Sequence, residues 1–248
     1  MNEATPKKQA KPLVMITGAS AGIGAEIART FSEAGHPLLL LARRREKLLE
    51  LGMPDTVCCE ADVRDRAAIA VAIAEGEARF GPVDLLVNNA GISRLARLDD
   101  QDPDEWRDLI DINVTGVLNC MHALLPQMKA RRHGTIVNVS SIAGRKVYPF
   151  HDVYGGTKHF VHAVSEGARG AAAEHNVRVM TISPGITKSE IDKTITDPAA
   201  FAVWSADRER MEGGIDAQHV ARTILFAYQL PQSVNLQEMT ITATAQTY

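Results

Sequence analysis

Short apolar runs alternate with longer helical stretches along most of this chain. The runs are four to seven residues long, which suits strands buried within a sheet. The strands are predicted at residues 13–17, 37–41, 56–60, 84–87, 134–139, 177–182 and 235–241. The helices are predicted at residues 23–34, 44–51, 65–79, 104–131, 152–174 and 216–229. Such alternation with short links predicts an α/β fold, a doubly wound parallel sheet of about seven strands with helices on both faces.

Two segments break this alternation. Residues 1–12 are polar and carry lysines but lack the apolar run of a signal peptide, so we expect a flexible tail before a single domain at 13–248. Residues 188–214 mix Asp and Thr with Pro198 and a lone Trp204, and they end in two glycines. Because they follow the carboxyl end of a predicted strand, where active-site lids are common, we expect a lid-like insertion.

A glycine-rich turn follows the first predicted strand. Gly18, Gly22 and Gly24 separate that strand from the first helix. The exposed N–H groups of such a turn and the positive end of the helix dipole both face a bound phosphate. We expect Gly18 to permit the turn, Gly22 to let the backbone approach a pyrophosphate, and Gly24 to let the helix pack closely on the sheet.

A tyrosine and a lysine four residues apart form a second candidate site. Tyr154 and Lys158 would lie on one face of a predicted helix, and Ser141 lies thirteen residues upstream of the tyrosine. An ammonium near a phenol favours the phenolate, so we expect Lys158 to lower the pKa of Tyr154 toward neutrality. With a serine hydroxyl holding a carbonyl oxygen nearby, the set indicates a proton-transfer site.

The motifs, in this order, resemble those of short-chain dehydrogenases/reductases from about Leu13 to the C-terminus. The glycine spacing G-x-x-x-G-x-G is typical of that family, and further matches follow in the family's order. They are Asp62-Val63, Asn88-Asn89-Ala90-Gly91, Asn113 and Pro184-Gly185. One departure is Gly156-Thr157 before the lysine, where the family usually has small residues ending in Ala-Ser. The resemblance implies a single Rossmann-type domain that binds a nicotinamide dinucleotide.

The resemblance also implies roles for individual residues. Tyr154 would exchange a proton with the substrate oxygen that Ser141 holds. Lys158 would also bind the nicotinamide ribose, and Asn113 would hold a water that links the lysine to solvent. Adenine would be contacted by Asp62 and Val63. The ribose region would be lined by Asn89, Ala90 and Gly91, and the carboxamide would meet Gly185, Thr187 and Ser189. The residues expected to contact the cofactor, besides Tyr154 and Lys158, are Gly18, Ser20, Gly22, Ile23, Gly24, Arg43, Arg44, Asp62, Val63, Asn89, Ala90, Gly91, Pro184, Gly185, Thr187 and Ser189.

The end of the second strand indicates which dinucleotide is preferred. Enzymes that prefer NAD usually place an acid there to bind the ribose 2′-hydroxyl. Here Ala42 is followed by Arg43, Arg44 and Arg45. Cations at a helix N-terminus oppose the helix dipole, so three in succession suggest a bound anion. A 2′-phosphate fits, and the NADP-preferring branch of the family has a similar pair, so we expect NADP(H).

Composition limits the other functions. The 248 residues, 45% of them hydrophobic, suit one domain with a large core. A net charge of −3 gives no electrostatic reason to expect nucleic acid or an acidic membrane as partner, and no apolar run approaches membrane-spanning length. Three cysteines cannot form a disulfide framework, and their neighbours lack metal-ligand spacing. We therefore expect reduced thiols in a cytoplasmic protein and no metal site.

These features together predict an oxidoreductase that transfers a hydride between NADPH and a small-molecule carbonyl or secondary alcohol. Two alternatives stay open. A 3-oxoacyl-carrier-protein reductase would need a basic docking patch, for which Lys129, Arg131 and Arg132 are weak candidates. A non-catalytic NADPH-binding sensor or scaffold would have no use for a proton donor beside the nicotinamide.

The expected assembly is a homotetramer or homodimer. This expectation rests on analogy with homologues. The small residues Gly167, Gly170 and Ala171 would let paired helices approach closely.

Overall fold

A seven-stranded parallel sheet organises the computed structural model, which describes residues 11–247. The strands are β1 (Leu13–Thr17), β2 (Leu38–Ala42), β3 (Thr56–Glu60), β4 (Val83–Asn88), β5 (Gly134–Val139), β6 (Val177–Pro184), β7 (Thr187–Lys188), β8 (Ile215–Asp216) and β9 (Glu238–Ile241). The helices are α1 (Gly22–Glu33), α2 (Arg45–Leu49), α3 (Arg66–Phe80), α4 (Pro103–Ile110), α5 (Gly116–Arg131), α6 (Asp152–Ala173), α7 (Pro198–Arg210) and α8 (Ala217–Gln229).

The order of the strands fixes where a ligand can bind. The sheet runs β3-β2-β1-β4-β5-β6-β9, and β7 pairs with β8 in a separate ribbon. The strand order reverses between β1 and β4, and parallel α/β sheets open a crevice at the carboxyl ends of the strands at such a point. The loops that follow β1, β4, β5 and β6 therefore meet at one cleft.

Alternate residues of each strand supply the cores on the two faces of the sheet. Val14 and Ile16 of β1 pack with the apolar side chains of α1 and α8. Leu13 and Met15 point the other way and pack with α3, α5 and α6. This period of two is what a strand buried on both faces requires. The predicted doubly wound α/β fold is confirmed.

Several element bounds differ from the prediction. The helix predicted at 104–131 is divided into α4 and α5 by a π-helical turn at Asp111–Thr115. The strand predicted at 235–241 begins at Glu238. The insertion at 188–214 contains a helix, α7, which was not predicted. Its start is set by the Asp197 side chain, which accepts the Ala200 N–H, and by a proline in its first turn.

The helical stretch Pro103–Arg131 is, by length and composition alone, long and apolar enough to cross a membrane. Buried core helices meet the same criteria, and Leu124 and Met128 of α5 lie in the core on one face of the sheet. Of the tail predicted at residues 1–12, only Lys11 and Pro12 lie within the described residues. The rest of that prediction lies outside them.

Candidate active site

The glycine turn after β1 forms a cradle at the N-terminus of α1. Gly18 and Gly22 have φ angles of +64° and +54°, which glycine adopts without strain. A Cβ on Gly24 would lie 2.3 Å from the Gly18 carbonyl oxygen and 2.5 Å from Asn89 Nδ2. The closest contacts of Gly24 are therefore with the turn itself and with Asn89 in the loop after β4. No side chain caps α1, so its first N–H groups are available to a phosphate.

Thr17 ties this turn to the loop that follows β4. Its Oγ1 accepts the N–H groups of Asn89 and Ala90, each at 3.1 Å. Asn89 Nδ2 donates in return to the carbonyls of Thr17 and Gly18, at 3.0 and 3.2 Å. Thr17 was not among the predicted site residues, because in the sequence it is only the last residue of an apolar strand. The predicted ribose-lining segment is fixed to β1 by these bonds.

The basic residues after β2 divide between two environments. Arg43 and Arg44 are exposed and line the cleft. Arg45 is also exposed but does not line the cleft, because its Nε donates to the Cys58 carbonyl at 3.0 Å. The expected row of three cations at an anion site is therefore a pair.

Asp62 and Val63, the predicted adenine contacts, line the same end of the cleft. The Asp62 carboxylate accepts hydrogen bonds from Arg64 Nε at 3.0 Å and Nη2 at 2.7 Å. These bonds hold the pKa of Asp62 below its usual value. Val63 is buried against Gly116, where a Cβ would lie 2.5 Å from Val63 Cγ2. The first residue of α5 thus packs directly on this wall of the cleft.

Ser141, Tyr154 and Lys158 meet at the centre of the cleft. The Ser141 side chain follows β5, accepts the Ala143 N–H at 3.1 Å and is hydrogen-bonded to the Tyr154 hydroxyl. Tyr154 and Lys158 lie one turn apart on α6, and the ammonium nitrogen is 5.9 Å from the centroid of the phenol ring. Lys158 Nζ also donates to the Val139 carbonyl at 3.1 Å.

Burial sets the pKa values of this pair, contrary to expectation. Tyr154 is 7% exposed and Lys158 is 6% exposed. Desolvation raises the pKa of Tyr154 to about 12, against the opposing effect of the Ser141 hydrogen bond, and lowers the pKa of Lys158 to about 8. The prediction that the lysine brings the tyrosine pKa toward neutrality is wrong for this structure. The phenol is therefore protonated at neutral pH.

Asn113 supports the site from behind the cleft. It is buried in the π-helical turn, where Oδ1 accepts the Ile92 N–H at 2.9 Å and Nδ2 donates to the Ile92 carbonyl at 3.0 Å. Nδ2 also donates to Thr157 Oγ1 at 3.2 Å, and that hydroxyl donates to the Tyr154 carbonyl at 2.7 Å. Thr157, the departure from the family pattern, thus connects the Asn113 turn to the helix that carries the tyrosine.

The loop after β6 closes the other side of the cleft. Pro184 is the last residue of β6, and Thr187 Oγ1 donates to the Gly185 carbonyl at 3.0 Å. A Cβ on Gly22 would lie 3.1 Å from Ser189 Cβ, so the loop comes within contact of the glycine turn. The predicted nicotinamide and phosphate ends of the site therefore lie side by side.

One cleft of about 1000 Å³ unites these parts. Every predicted catalytic or cofactor residue lines it except Gly24 and Asn113, which support its wall. Beyond the tyrosine the lining becomes mainly apolar and aromatic. It includes Leu95, Ala143, Tyr148, Phe150 and Trp204. The glycine cradle, the two arginines and this apolar end together fit an extended dinucleotide beside a small organic substrate.

Comparison with known proteins shows the family to which the chain belongs. Residues 12–200 match the short chain dehydrogenase family. The chain belongs to that family of oxidoreductases. It is 35% identical over 242 residues to an uncharacterized oxidoreductase of Listeria monocytogenes, covering 94% of this chain and 97% of the relative. A closed form of serine dehydrogenase complexed with NADP⁺ superposes with a TM-score of 0.86 at 31% identity, covering 95% of this chain and 96% of the other.

A gluconate 5-dehydrogenase from Burkholderia cenocepacia, solved with NADP and tartrate, has a TM-score of 0.80 and 31% identity. The match covers 94% of each chain. These two solved relatives carry different substrate names, so membership of the family does not by itself fix the substrate of this short-chain dehydrogenase.

The insertion at 188–214 forms one wall of the cleft. Thr194 Oγ1 accepts the Ser93 N–H at 2.8 Å, which joins the insertion to the loop after β4. Ala200 and Trp204 of α7 pack in the apolar cluster that contains Tyr154. The insertion therefore contacts the site directly, as a lid would. Its movement on ligand binding stays a prediction.

Two histidines flank the tyrosine and lysine in the sequence. His151 lines the cleft, its Nδ1 is 2.7 Å from the Pro149 carbonyl oxygen, and burial lowers its pKa, so it is neutral at pH 7. His159 is exposed, and its Nδ1 is 2.9 Å from the Gly155 carbonyl oxygen. His159 therefore does not line the cleft, whereas His151 is placed where it can touch substrate.

A further network holds the serine loop of this short-chain dehydrogenase. Glu238 on β9 accepts from Arg145 Nε at 2.8 Å and also pairs with its Nη2. His162, one turn beyond Lys158, lies 3.6 Å from the Glu238 carboxylate and 3.1 Å from Ser183 Oγ. None of these residues was predicted, because each is separated from its partners by tens of residues in sequence.

Proposed function

We propose that this chain is an NADPH-dependent carbonyl reductase or alcohol dehydrogenase. The observation that carries the proposal is the convergence of Ser141, Tyr154 and Lys158 on a cleft that also holds an uncapped helix N-terminus. Bound NADPH would supply the hydride, and the apolar end of the cleft would hold the carbonyl compound. The solved relatives with NADP support this reading.

The protonation states suit reduction of a carbonyl. As hydride reaches the carbonyl carbon, negative charge develops on the oxygen, and a neutral phenol is the form that can donate a proton to it. Tyr154 is that donor, and Ser141, already hydrogen-bonded to the phenol, holds the same oxygen. The Lys158 ammonium then stabilises the phenolate that remains. Oxidation of an alcohol reverses these steps.

The proposed preference for NADPH rests on Arg43 and Arg44. Both guanidinium groups are exposed at the end of the cleft where β2 terminates, and Ala42 offers no carboxylate to a ribose hydroxyl. An arginine side chain binds a phosphate with two parallel hydrogen bonds.

Replacing Arg43 with alanine should weaken NADPH binding by about one to two decades and leave NADH binding nearly unchanged. A charge-assisted pair at a partly exposed site contributes roughly 1.5–3 kcal/mol. Dissociation constants for both dinucleotides measure this. Arg45→Ala is the matched control, because the Arg45 side chain bonds the Cys58 carbonyl away from the cleft. Equal binding of NADPH and NADH by the wild type would contradict the preference.

Steady-state oxidation of NADPH across a panel of ketones and aldehydes tests the proposed activity. At least one carbonyl compound should be reduced, and heat-denatured enzyme gives the background. Absence of turnover with tight NADPH binding would favour the sensor or scaffold alternative.

The carrier-protein alternative has no support from the location of its candidate patch. Lys129, Arg131 and Arg132 lie at the end of α5, directly before β5 begins. Arg131 Nη2 donates to the carbonyl of Val83, the first residue of β4. The patch is thus at the amino ends of the strands, and the cleft is at their carboxyl ends.

We also propose that residues 188–214 act as a lid. The docking of Trp204 near Tyr154 supports this, because substrate would meet the same apolar cluster. Amide exchange in the insertion should slow when NADPH and substrate bind together. Unchanged exchange would mean that the segment is fixed structure.

We propose that the protein is a homodimer or homotetramer in the cytoplasm. We propose no nucleic acid or membrane partner for it. Three glycines in α6 support a helix-mediated assembly, because a Cβ on Gly156, Gly167 or Gly170 would meet no atom within 4 Å apart from the chain neighbours and the backbone of α6 itself. Glycine within a helix costs roughly 0.5–1 kcal/mol relative to alanine, and no contact within the described chain requires it there. The molar mass from light scattering tests the oligomer.

A further inference from the structure

The C-terminal segment crosses the loop that would receive the nicotinamide. After β9, the Ile241 carbonyl accepts the Gly185 N–H at 2.8 Å, and Gln246 N donates to the Ala243 carbonyl at 2.9 Å in a turn. This turn directs the Gln246 side chain back into the cleft, which it lines. There its Oε1 accepts the Ile186 N–H at 3.2 Å.

The Gln246 side chain occupies the space directly beside Gly185 of this loop. A Cβ on Gly185 would lie 2.0 Å from Gln246 Oε1 and 2.9 Å from its Cδ, so the amide rests directly on the backbone of Gly185. By resemblance, Gly185 itself is expected to meet the nicotinamide carboxamide, together with Thr187 and Ser189. One position on the loop is thus assigned to two occupants.

The two occupants have the same chemistry. The glutamine side chain and the nicotinamide substituent are both primary carboxamides, each with a carbonyl acceptor and an NH₂ donor. A backbone N–H has one proton to donate, and the Ile186 N–H next to Gly185 already donates it to Gln246 Oε1. Whichever carboxamide binds excludes the other from this contact.

We propose that Gln246 is an internal competitor for the nicotinamide carboxamide and so lowers the affinity for the nicotinamide half of the cofactor. The proposal rests on the cofactor site proposed above and adds a residue to it. Binding of NADPH then requires the Gln246 side chain to leave the Ile186 N–H. The adenosine half of the cofactor is separated from the nicotinamide by the pyrophosphate, so it binds without displacing Gln246. The apparent dissociation constant equals the intrinsic constant divided by the fraction of molecules in which Gln246 has left this contact.

Dissociation constants for NADPH and for adenosine 2′,5′-bisphosphate test the proposal, measured by calorimetry on wild type and Gln246→Ala. The variant should bind NADPH about two- to tenfold more tightly, the equivalent of one neutral hydrogen bond. Its affinity for the bisphosphate, which has no nicotinamide, should not change. Thr244→Ala is the matched control, since this residue is an exposed threonine of the same segment.

Amide exchange gives a second readout that does not depend on activity. NADPH should speed exchange in residues 243–247, and adenosine 2′,5′-bisphosphate should not. Unchanged or weaker NADPH binding by Gln246→Ala overturns the proposal, because it would make Gln246 neutral or a ligand of the cofactor. An equal change for both ligands also overturns it, since the effect would not be specific to the nicotinamide. Wild type that binds neither ligand would instead disprove the cofactor site, and the proposal with it.

Discussion

Tyr154→Phe should lower turnover by about 10²–10⁴-fold while NADPH binding and folding survive. The substitution removes only the hydroxyl that donates the proton, and loss of a positioned acid-base group typically has an effect of that size. The ring remains buried in its apolar cluster with Leu95, Ala143 and Ala200, so packing is retained. The measurement is the steady-state rate constant with a carbonyl substrate, together with the NADPH dissociation constant.

Tyr148→Phe is the matched control for this prediction. Tyr148 lines the same cleft and packs against the same cluster, but it is not on the turn of α6 that faces Lys158. Its substitution should change turnover far less than that of Tyr154. A Tyr154→Phe enzyme with a near wild-type rate on a good substrate would show that the proton comes from elsewhere.

The parts of the site that the sequence predicted well are those with local spacing. Three glycines within seven residues, and a tyrosine and lysine one helical turn apart, specify their own geometry once the strand and helix around them are recognised. The strand alternation likewise specified the sheet, because buried parallel strands are apolar on both faces. Among the strands of the seven-stranded sheet, only the bounds differ, as at the strand that begins at Glu238.

The parts that were missed depend on contacts between distant residues. No spacing or periodicity in the sequence marks these contacts. They join Thr17 to Asn89, Glu238 to Arg145 and Gln246 to Ile186. Arg45 was wrongly grouped with the cations of the cleft because its partner is a backbone carbonyl on the neighbouring strand. A run of residue types shows charge, but it does not show where each side chain points.

The direction of the tyrosine pKa shift was wrong for a related reason. The spacing of Tyr154 and Lys158 predicts proximity but carries no information on burial. Both groups are almost fully enclosed, and desolvation then disfavours the charged form of each. The same enclosure means that the buried lysine ammonium destabilises the folded state.

Lys158→Met should abolish most activity and yet stabilise the cofactor-free protein at pH 7. Burial lowers the pKa of Lys158 from 10.5 to about 8, so holding its ammonium in the folded state costs about 3 kcal/mol. Methionine has similar length and no charge to desolvate. The lost bond to the Val139 carbonyl offsets roughly 0.5–1.5 kcal/mol, so a net gain of about 2 kcal/mol is expected.

The dependence on pH makes this prediction specific. Below pH 8 the lysine is protonated in both folded and unfolded chains, and the whole cost is present. Between pH 8 and 10.5 the unfolded chain holds a proton that the folded chain lacks, so the stability of wild type rises relative to the variant. Denaturant unfolding measures the free energy of unfolding of each protein. The difference in that free energy between Lys158→Met and wild type should therefore be smaller at pH 10 than at pH 7. Lys47→Met is the matched control, because Lys47 is exposed on α2 and its removal takes no buried ammonium from the fold. A less stable Lys158→Met at pH 7, or a gap that stays constant with pH, would mean that the buried ammonium is compensated within the fold.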